Sequence, residues 1–338
     1  MNLKTFALAL GASTMMLGAP AIAQDAQIEP AVIYDLGGKF DKSFNEGVYE
    51  GMERFEADTG IEYTEFEIQN DSQREQAMRR FARDGKSPIL AVGFSQAAAL
   101  EKVAEEFPDT EFAIIDSVVD LPNVQSIVFK EHEGSYLVGM MAAMKSESGA
   151  VGFVGGMDIP LIRKFLCGYA EGAKAANPDI TIYQNMTGTT GAAWNDPVRG
   201  GELATSQIEQ GADVIYHAAG GTGIGVLQAA ADAGAYGIGV DSNQNALQPG
   251  SVLTSMLKRV DNAAYQTFTD AMEGSWEPGI TVLGLAEDGV GYAEDENNAD
   301  LLTEEMKTAV EEAKAAIVAG DVEVHDYMSD NSCPALDS

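Results

Sequence analysis

Asp35-Leu36-Gly37-Gly38-Lys39-Phe40-Asp41-Lys42-Ser43-Phe44-Asn45 leaves the apolar run Ala31-Val32-Ile33-Tyr34 and enters a segment where Phe44, Val48, Met52 and Phe55 recur at helical spacing. A buried strand, a polar glycine-containing loop and a helix form the unit with which an α/β sheet builds a ligand site at its carboxyl edge. The loop carries carboxylates, an amide, a lysine and two aromatics. That mixture suits a neutral ligand with a flat ring and hydrogen-bonding groups better than a phosphate. The chain reads as a binder before it reads as an enzyme.

Strands and helices alternate outward from this point. Strands are expected at 31–36, 61–68, 88–94 and 111–116, with helices from Phe44, at 72–85 and at 96–107. Ser72 and Glu75 form a capping-box signature for the second of these helices. The pattern restarts after 126–129 and a helix at 132–145. Strands at 150–155, 180–186, 213–218 and 236–241 then alternate with helices at 160–176, 197–210 and 222–233. Such a series implies parallel sheets with right-handed crossovers, here two α/β units with a cleft between them. Trp194-Asn195-Asp196 and Gly239-Val240-Asp241-Ser242-Asn243 repeat the chemistry of the opening loop in the second unit. The last quarter is less regular, with strands at 251–257 and 279–286 and helices at 260–273 and 303–319.

Acidic residues outnumber basic ones by 53 to 20, for a formal charge of −33. Nucleic acid and anionic membrane surfaces are repelled by such a chain. The acids are dispersed, which favours a highly solvated surface and a monomer. Lys4, the apolar stretch 6–17 and Ala21-Ile22-Ala23 have the order of a secretory signal peptide, 1–23, cleaved after Ala23. No later stretch reaches the roughly 18–20 apolar residues of a membrane helix. The expected location is a bacterial periplasm. Cys167 and Cys333 are the two cysteines, and in an oxidising compartment they either bridge or stay unpaired.

Each candidate site residue has a plainer alternative. Asp35 ends a strand and faces the ligand edge, while Asn45 reads either as a ligand contact or as a helix N-cap. Phe40 stacks on a ring or packs its own loop, and Phe44 fits the core stripe. Asp116 and Asp241 end strands, where they accept bonds from paired sugar hydroxyls or simply form turns. Lys258 donates to ligand acceptors or is a surface lysine. Trp194, between a strand and a proline-started helix, reads as a second stacking wall opposite Phe40. Gly220 and Gly221 let backbone amides approach a ligand or tighten a turn.

Enzyme and metal signals are weak. Gly93-Phe94-Ser95-Gln96-Ala97 departs from the Gly-x-Ser-x-Gly elbow, although Ser95 with His325 leaves a secreted hydrolase as a remote alternative. His132, His217 and His325 are scattered, and the acid-rich stretch 288–300 lacks the calcium-loop order, so no metal and no cofactor is expected.

The opening loop resembles the N-terminal signature of the basic membrane protein family of ABC transporter substrate-binding proteins, which includes purine nucleoside receptor lipoproteins. The likeness continues through Phe112-Ala113-Ile114-Ile115-Asp116, Glu133-Gly134-Ser135-Tyr136-Leu137-Val138-Gly139 and Gly152-Phe153-Val154-Gly155-Gly156. Gly168-Tyr169-Ala170-Glu171-Gly172-Ala173-Lys174, Gly239-Val240-Asp241 and Ser255-Met256-Leu257-Lys258 follow in order. The resemblance implies a periplasmic-binding-protein type I fold, two doubly wound parallel-sheet lobes joined by a three-crossover hinge. It places 24–130 and 256–278 in the first lobe, and 131–255 and 279–338 in the second. It also implies a nucleoside, with purine foremost, delivered to an ABC permease in the inner membrane. Phe40 and Trp194 would sandwich the base, and Asp35 and Asn45 would read its edge. Asp116, Asp241 and Lys258 would hold the ribose, with Gly220 or Gly221 adding backbone contacts. Nucleoside-binding relatives commonly carry phenylalanine where this chain has the larger Trp194. The family contains many lipoproteins, whereas no cysteine follows the apolar segment here. A receptor for another small polar metabolite or a sugar is the alternative within binders.

Overall fold

The computed structural model describes residues 28–337; the expected signal peptide lies outside them. In chain order the first lobe supplies β1 (Ala31–Tyr34), α1 (Phe44–Thr59), β2 (Thr64–Glu67), α2 (Gln73–Arg83), β3 (Ile89–Ala91), α3 (Ala97–Glu106), β4 (Phe112–Ile115) and β5 (Val124–Phe129). The chain crosses to the second lobe for α4 (Glu131–Lys145), β6 (Ala150–Met157), α5 (Pro160–Ala176), β7 (Thr181–Gly188), α6 (Pro197–Glu209) and β8 (Val214–Ala218). The same lobe continues with α7 (Gly223–Asp232), β9 (Tyr236–Asp241) and β10 (Val252–Lys258). It returns for α8 (Val260–Glu273) and β11 (Gly279–Leu283), then crosses again to β12 (Val290–Tyr292) and α9 (Glu304–Ala319). Two short helices, α10 (Tyr327–Asp330) and α11 (Pro334–Asp337), follow.

The sheet orders are β11-β5-β4-β3-β1-β2 and β12-β10-β9-β8-β6-β7. Five strands of each sheet follow the same order, the edge strands β11 and β12 differing in direction, and the carboxyl edges of both sheets line one cleft. Only β12 pairs antiparallel among the described strands. β1, β3 and β4 are buried along their whole length, as strands covered by helices on both faces must be, and this is why they read as unbroken apolar runs.

The positions of the crossings correct part of the expected division. Residues 256–258 belong to β10, which pairs with β9 in the second sheet, and Gly279–Leu283 pairs with β5 in the first. Strand periodicity reports burial but not which sheet a strand joins, so the boundaries at 256 and 279 were beyond its reach. α8 returns to the first lobe, where Phe268 meets Phe55 at 5.9 Å between ring centres. The three crossings are tied together: Lys130 N donates to Leu283 O at 2.9 Å and Arg259 N to Gly289 O at 2.8 Å. Glu133 accepts from Leu285 N at 2.8 Å.

α4 and α5 pack backbone to backbone. A Cβ on Gly168 would lie 2.2 Å from His132 O and one on Gly172 1.9 Å from Tyr136 O, so only glycine allows this approach. Cys167 of α5 is bonded to Cys333, with 5.5 Å between Cα atoms, which ties the tail to α5. The expected capping box does not form: Ser72 Oγ turns to Asn70 Oδ1, and Glu75 pairs with Lys102 at 2.9 Å. A neighbouring amide took the Ser72 hydroxyl and a lysine of α3 took the Glu75 carboxylate, so neither side chain reaches the backbone amides.

Candidate functional site

A cavity of about 70 Å³ lies between the lobes, lined by side chains from both. Asp35, Asn45, Asp116, Trp194, Gly220, Asp241 and Lys258 all line it. Their convergence follows from topology, because each sits at the carboxyl end of a strand, in the loop after it, or, for Asn45, in the first turn of the helix that follows.

The loop after β1 is held by its own carboxylates. Asp41 Oδ1 accepts from Ser43 N and Glu46 N, and Oδ2 accepts from Asn45 N and Asn45 Nδ2, all within 2.9–3.1 Å. Asp41 therefore satisfies the open amides at the start of α1. Burial nevertheless holds its carboxyl above the usual range, against the pull of those amides. Asn45 is not the cap; its Oδ1 accepts from Asp35 N at 3.1 Å and pins the end of β1 to the helix. Asp35 takes Leu36 N at 2.8 Å, Arg74 Nη2 at 2.9 Å and the Ser95 hydroxyl.

Asp116 follows β4, Asp241 ends β9, and Lys258 ends β10. The ammonium of Lys258 lies 2.6 Å from Asp116 and 3.0 Å from Glu131. The rings of Phe44, Phe129 and Phe165 stand around it at 5.1–5.5 Å. Burial pushes the carboxyls of Asp116 and Asp241 up to about 6, against the pull of Lys258. Glu131 would also be raised by burial, yet Lys258 and Lys164 together draw it down to about 2. Burial works against the Lys258 charge, but its acidic neighbours Asp116, Glu131 and Asp241 hold its pKa above the ordinary value.

Phe40 departs from its expected role. Its side chain is 60 % exposed, rests edge-on against Tyr49 and does not line the cavity. It does not face Trp194, so the expected sandwich of these two residues is absent. The reason is local: Asp41 turns inward to cap α1, and its neighbour is sent outward. Phe44, expected in the core stripe, lines the cavity together with Phe94, Phe165 and Trp194. Trp194 lies over Gly156, where a Cβ would come within 2.2 Å of Cζ3. Its turn is fixed by Thr222, which donates to Ala193 O at 2.8 Å and accepts from Asp196 N at 2.7 Å. Gly221 is not part of the cavity lining; it backs onto the Trp194 carbonyl.

The two lobes touch across the cleft. Ser43 Oγ donates to Asp241 Oδ2 at 2.6 Å, Ser242 Oγ to Ser43 O at 2.9 Å, and Gln244 Nε2 to Lys42 O at 2.8 Å. This clasp encloses the cavity in a closed arrangement of lobes. Sequence reasoning missed Ser43, Glu131, Phe94 and Phe165. Phe94 lay in the turn considered only as a degraded nucleophile elbow, and Phe165 lay inside the helix expected at 160–176, where nothing singled it out.

The hydrolase alternative has no constellation to support it. Ser95 donates to Asp35, while His325 sits in the tail beside Asp330, its backbone amide held by Glu171 of α5. Among the described residues no cluster of His, Cys, Asp and Glu fits a metal ion. No helix among them is long and apolar enough to cross a membrane.

A family profile described as "ABC transporter substrate-binding protein PnrA-like" matches residues 28–326. The CD4+ T-cell-stimulating antigen of Listeria monocytogenes is 32% identical, over 96% of this chain and 99% of that protein. The ABC transporter nucleoside-binding protein BmpA of Lactococcus lactis is 30% identical, over 88% of this chain and 89% of its own length. Among solved structures, an ABC transporter solute-binding protein from Aeropyrum pernix superposes with a TM-score of 0.80 at 30% identity, covering 89% of this chain and 94% of that one. An arabinose-binding protein from Geobacillus stearothermophilus shares the fold alone, at a TM-score of 0.60 and 11% identity over 82% of this chain and 100% of its own.

Proposed function

The chain belongs to the family of PnrA-like ABC transporter substrate-binding proteins, and from that premise we propose that it traps a nucleoside between its lobes and hands it to a membrane permease. Substrate binding, not catalysis, is the business of this family. The observation that carries the nucleoside reading is the composition of one cavity, four aromatic side chains beside an Asp116–Lys258–Asp241 group. A planar base needs flat apolar walls, and a ribose needs acceptors and donors for its hydroxyls. The relative named as nucleoside-binding, at 30% identity, points the same way.

In this reading Trp194 covers one face of the base, and its two-ring face makes a purine the first candidate. Phe44 replaces Phe40 as the aromatic of the opening loop. Asp35 and Asn45 read the edge of the base, Gly220 offers backbone, and Asp116, Asp241 and Lys258 hold the ribose. Asp116 keeps Lys258 and Asp241 keeps Ser43 in any case, so a ligand lacking those hydroxyls would forgo only the added bonds to the carboxylates, at a cost of roughly 0.5–1.5 kcal/mol each. Hinge closure about the three crossings encloses the ligand, and the closed lobes present the loaded receptor to the permease. Delivery takes place in the periplasm.

The test is to denature the purified protein, identify any released small molecule by ultraviolet absorption and mass, and refold it. A thermal-shift panel of nucleosides, bases and sugars follows, since a ligand of the native state raises the melting point. Nucleosides should raise it most. A shift with sugars and none with nucleosides would replace this reading by that of a sugar receptor.

A further inference from the structure

Glu131 does not line the cavity, yet it is almost solvent-free and joins two lysines, Lys258 at 3.0 Å and Lys164 at 3.0 Å. It is the first residue of α4, directly after the first crossing, and Lys258 is the last residue of β10, directly before the second. Lys164 belongs to α5, so Glu131 is anchored within the second lobe. The partners of Lys258 divide between the lobes. Asp116 and the Phe44 ring come from the first, whereas Glu131 and the Phe165 ring come from the second. Separating the lobes removes Asp116 from Lys258 and leaves Glu131 in place.

We propose that Glu131 is a positioning residue that sets the balance between open and closed lobes by keeping Lys258 paired when Asp116 withdraws. A buried ammonium without an ionised partner is costly, so the empty cleft opens only because the second lobe carries its own counter-charge for Lys258. With Glu131 neutral, the ion pair left to Lys258 is the one with Asp116, Asp241 of its own lobe lying farther off, and the cleft is biased shut without ligand. With Asp116 neutral, the cross-lobe attraction is lost while Lys258 keeps Glu131, and the cleft opens further. Lys164 retains the Phe129 carbonyl at 2.7 Å when Glu131 is changed, which spares the fold. This inference rests on the hinged-binder reading but not on the identity of the ligand.

The experiment places spin labels at the exposed Glu101→Cys of α3 and Glu209→Cys of α6 in ligand-free, refolded protein, whose own cysteines are bridged. Interlobe distances are then compared among wild type, Glu131→Gln and Asp116→Asn. The open-to-closed ratio should fall by about tenfold or more in Glu131→Gln and rise in Asp116→Asn. A Glu131→Gln ratio equal to or above wild type overturns the proposal, as does an Asp116→Asn ratio that does not rise. A wild type whose labels never separate would remove the hinge reading itself. A wild type that opens, with Glu131→Gln unchanged, removes only the role of Glu131.

Discussion

Asp116 and Asp241 stand at equivalent places in the two lobes: each terminates the third strand of its sheet's order, and each has a left-handed backbone, with φ of 70° and 64°. Left-handed geometry is tolerated by aspartate more readily than by most residues, and here it turns a carboxylate into the cleft from each side. The turn reading and the ligand reading of these residues are thus one conformation. The aspartate tolerates the bend, and the bend aims the carboxylate.

Both carboxyls titrate near 6 because burial penalises their charge. Their folded-state values lie above the ordinary aspartate range, so the stability they contribute is present at low pH and is lost as pH rises through about 6. Ligand binding has the opposite sign. Hydroxyl donors need the ionised form, so affinity should fall by about tenfold at pH 5 for each carboxyl that must ionise. Near pH 6 binding should release protons, seen in calorimetry as a dependence on buffer ionisation heat. Constant affinity from pH 5 to 7.5 would mean that neither carboxyl changes state on binding.

Trp194→Ala should weaken ligand binding by about 2–4 kcal/mol, as loss of a buried aromatic anchor does. Phe40→Ala should change binding and stability by less than about 0.5 kcal/mol, because its ring is largely in water. Calorimetry on the two variants separates the walls of the cavity from the residue beside it. An equal loss in both would restore Phe40 to the site.

Gly156→Ala puts a methyl against the Trp194 ring. Either the ring moves into the cavity or the strand shifts, and overpacking of this kind costs about 1–3 kcal/mol. Ligand affinity should fall along with the midpoint of chemical denaturation. Full affinity in this variant would show that Trp194 has room to give.

Ser43→Ala removes the hydroxyl that joins the lobes through Asp241. A hydrogen bond to a carboxylate contributes about 1.5–3 kcal/mol, and here it acts on the closed form. The ligand should dissociate at least about tenfold faster, with association little altered. Stopped-flow rates measure both.

Cys333→Ser frees the tail from α5. The bridge spans 166 residues of chain, and losing such a constraint costs about 2–5 kcal/mol. Urea unfolding of wild type with reductant should match that of the variant without it. Identical midpoints for oxidised wild type and variant would show that the bridge adds nothing.

Much of the site was legible because strand ends announce themselves. Asp35, Asp116, Asp241 and Lys258 each follow an apolar run, and runs of that kind finish at one edge of a parallel sheet. The choice between Phe40 and Phe44 was not legible, since both flank Asp41 and only the direction of that carboxylate decides which ring faces the cleft. Glu131 and Ser43 were invisible for a related reason. Their partners lie 127 and 198 positions away, at Lys258 and Asp241. No local pattern encodes such a pairing.

The amino-acid sequence alone determined the family likeness, the alternation that builds two sheets, and the polar residues at their carboxyl edges. These depend on periodicity and short motifs, which are properties of neighbouring residues. Tertiary structure decided which strand joins which sheet, which aromatics wall the cavity, and how Lys258 divides its charge between Asp116 and Glu131. Those outcomes depend on distances between segments remote in the chain, and such distances exist only once the two lobes have packed.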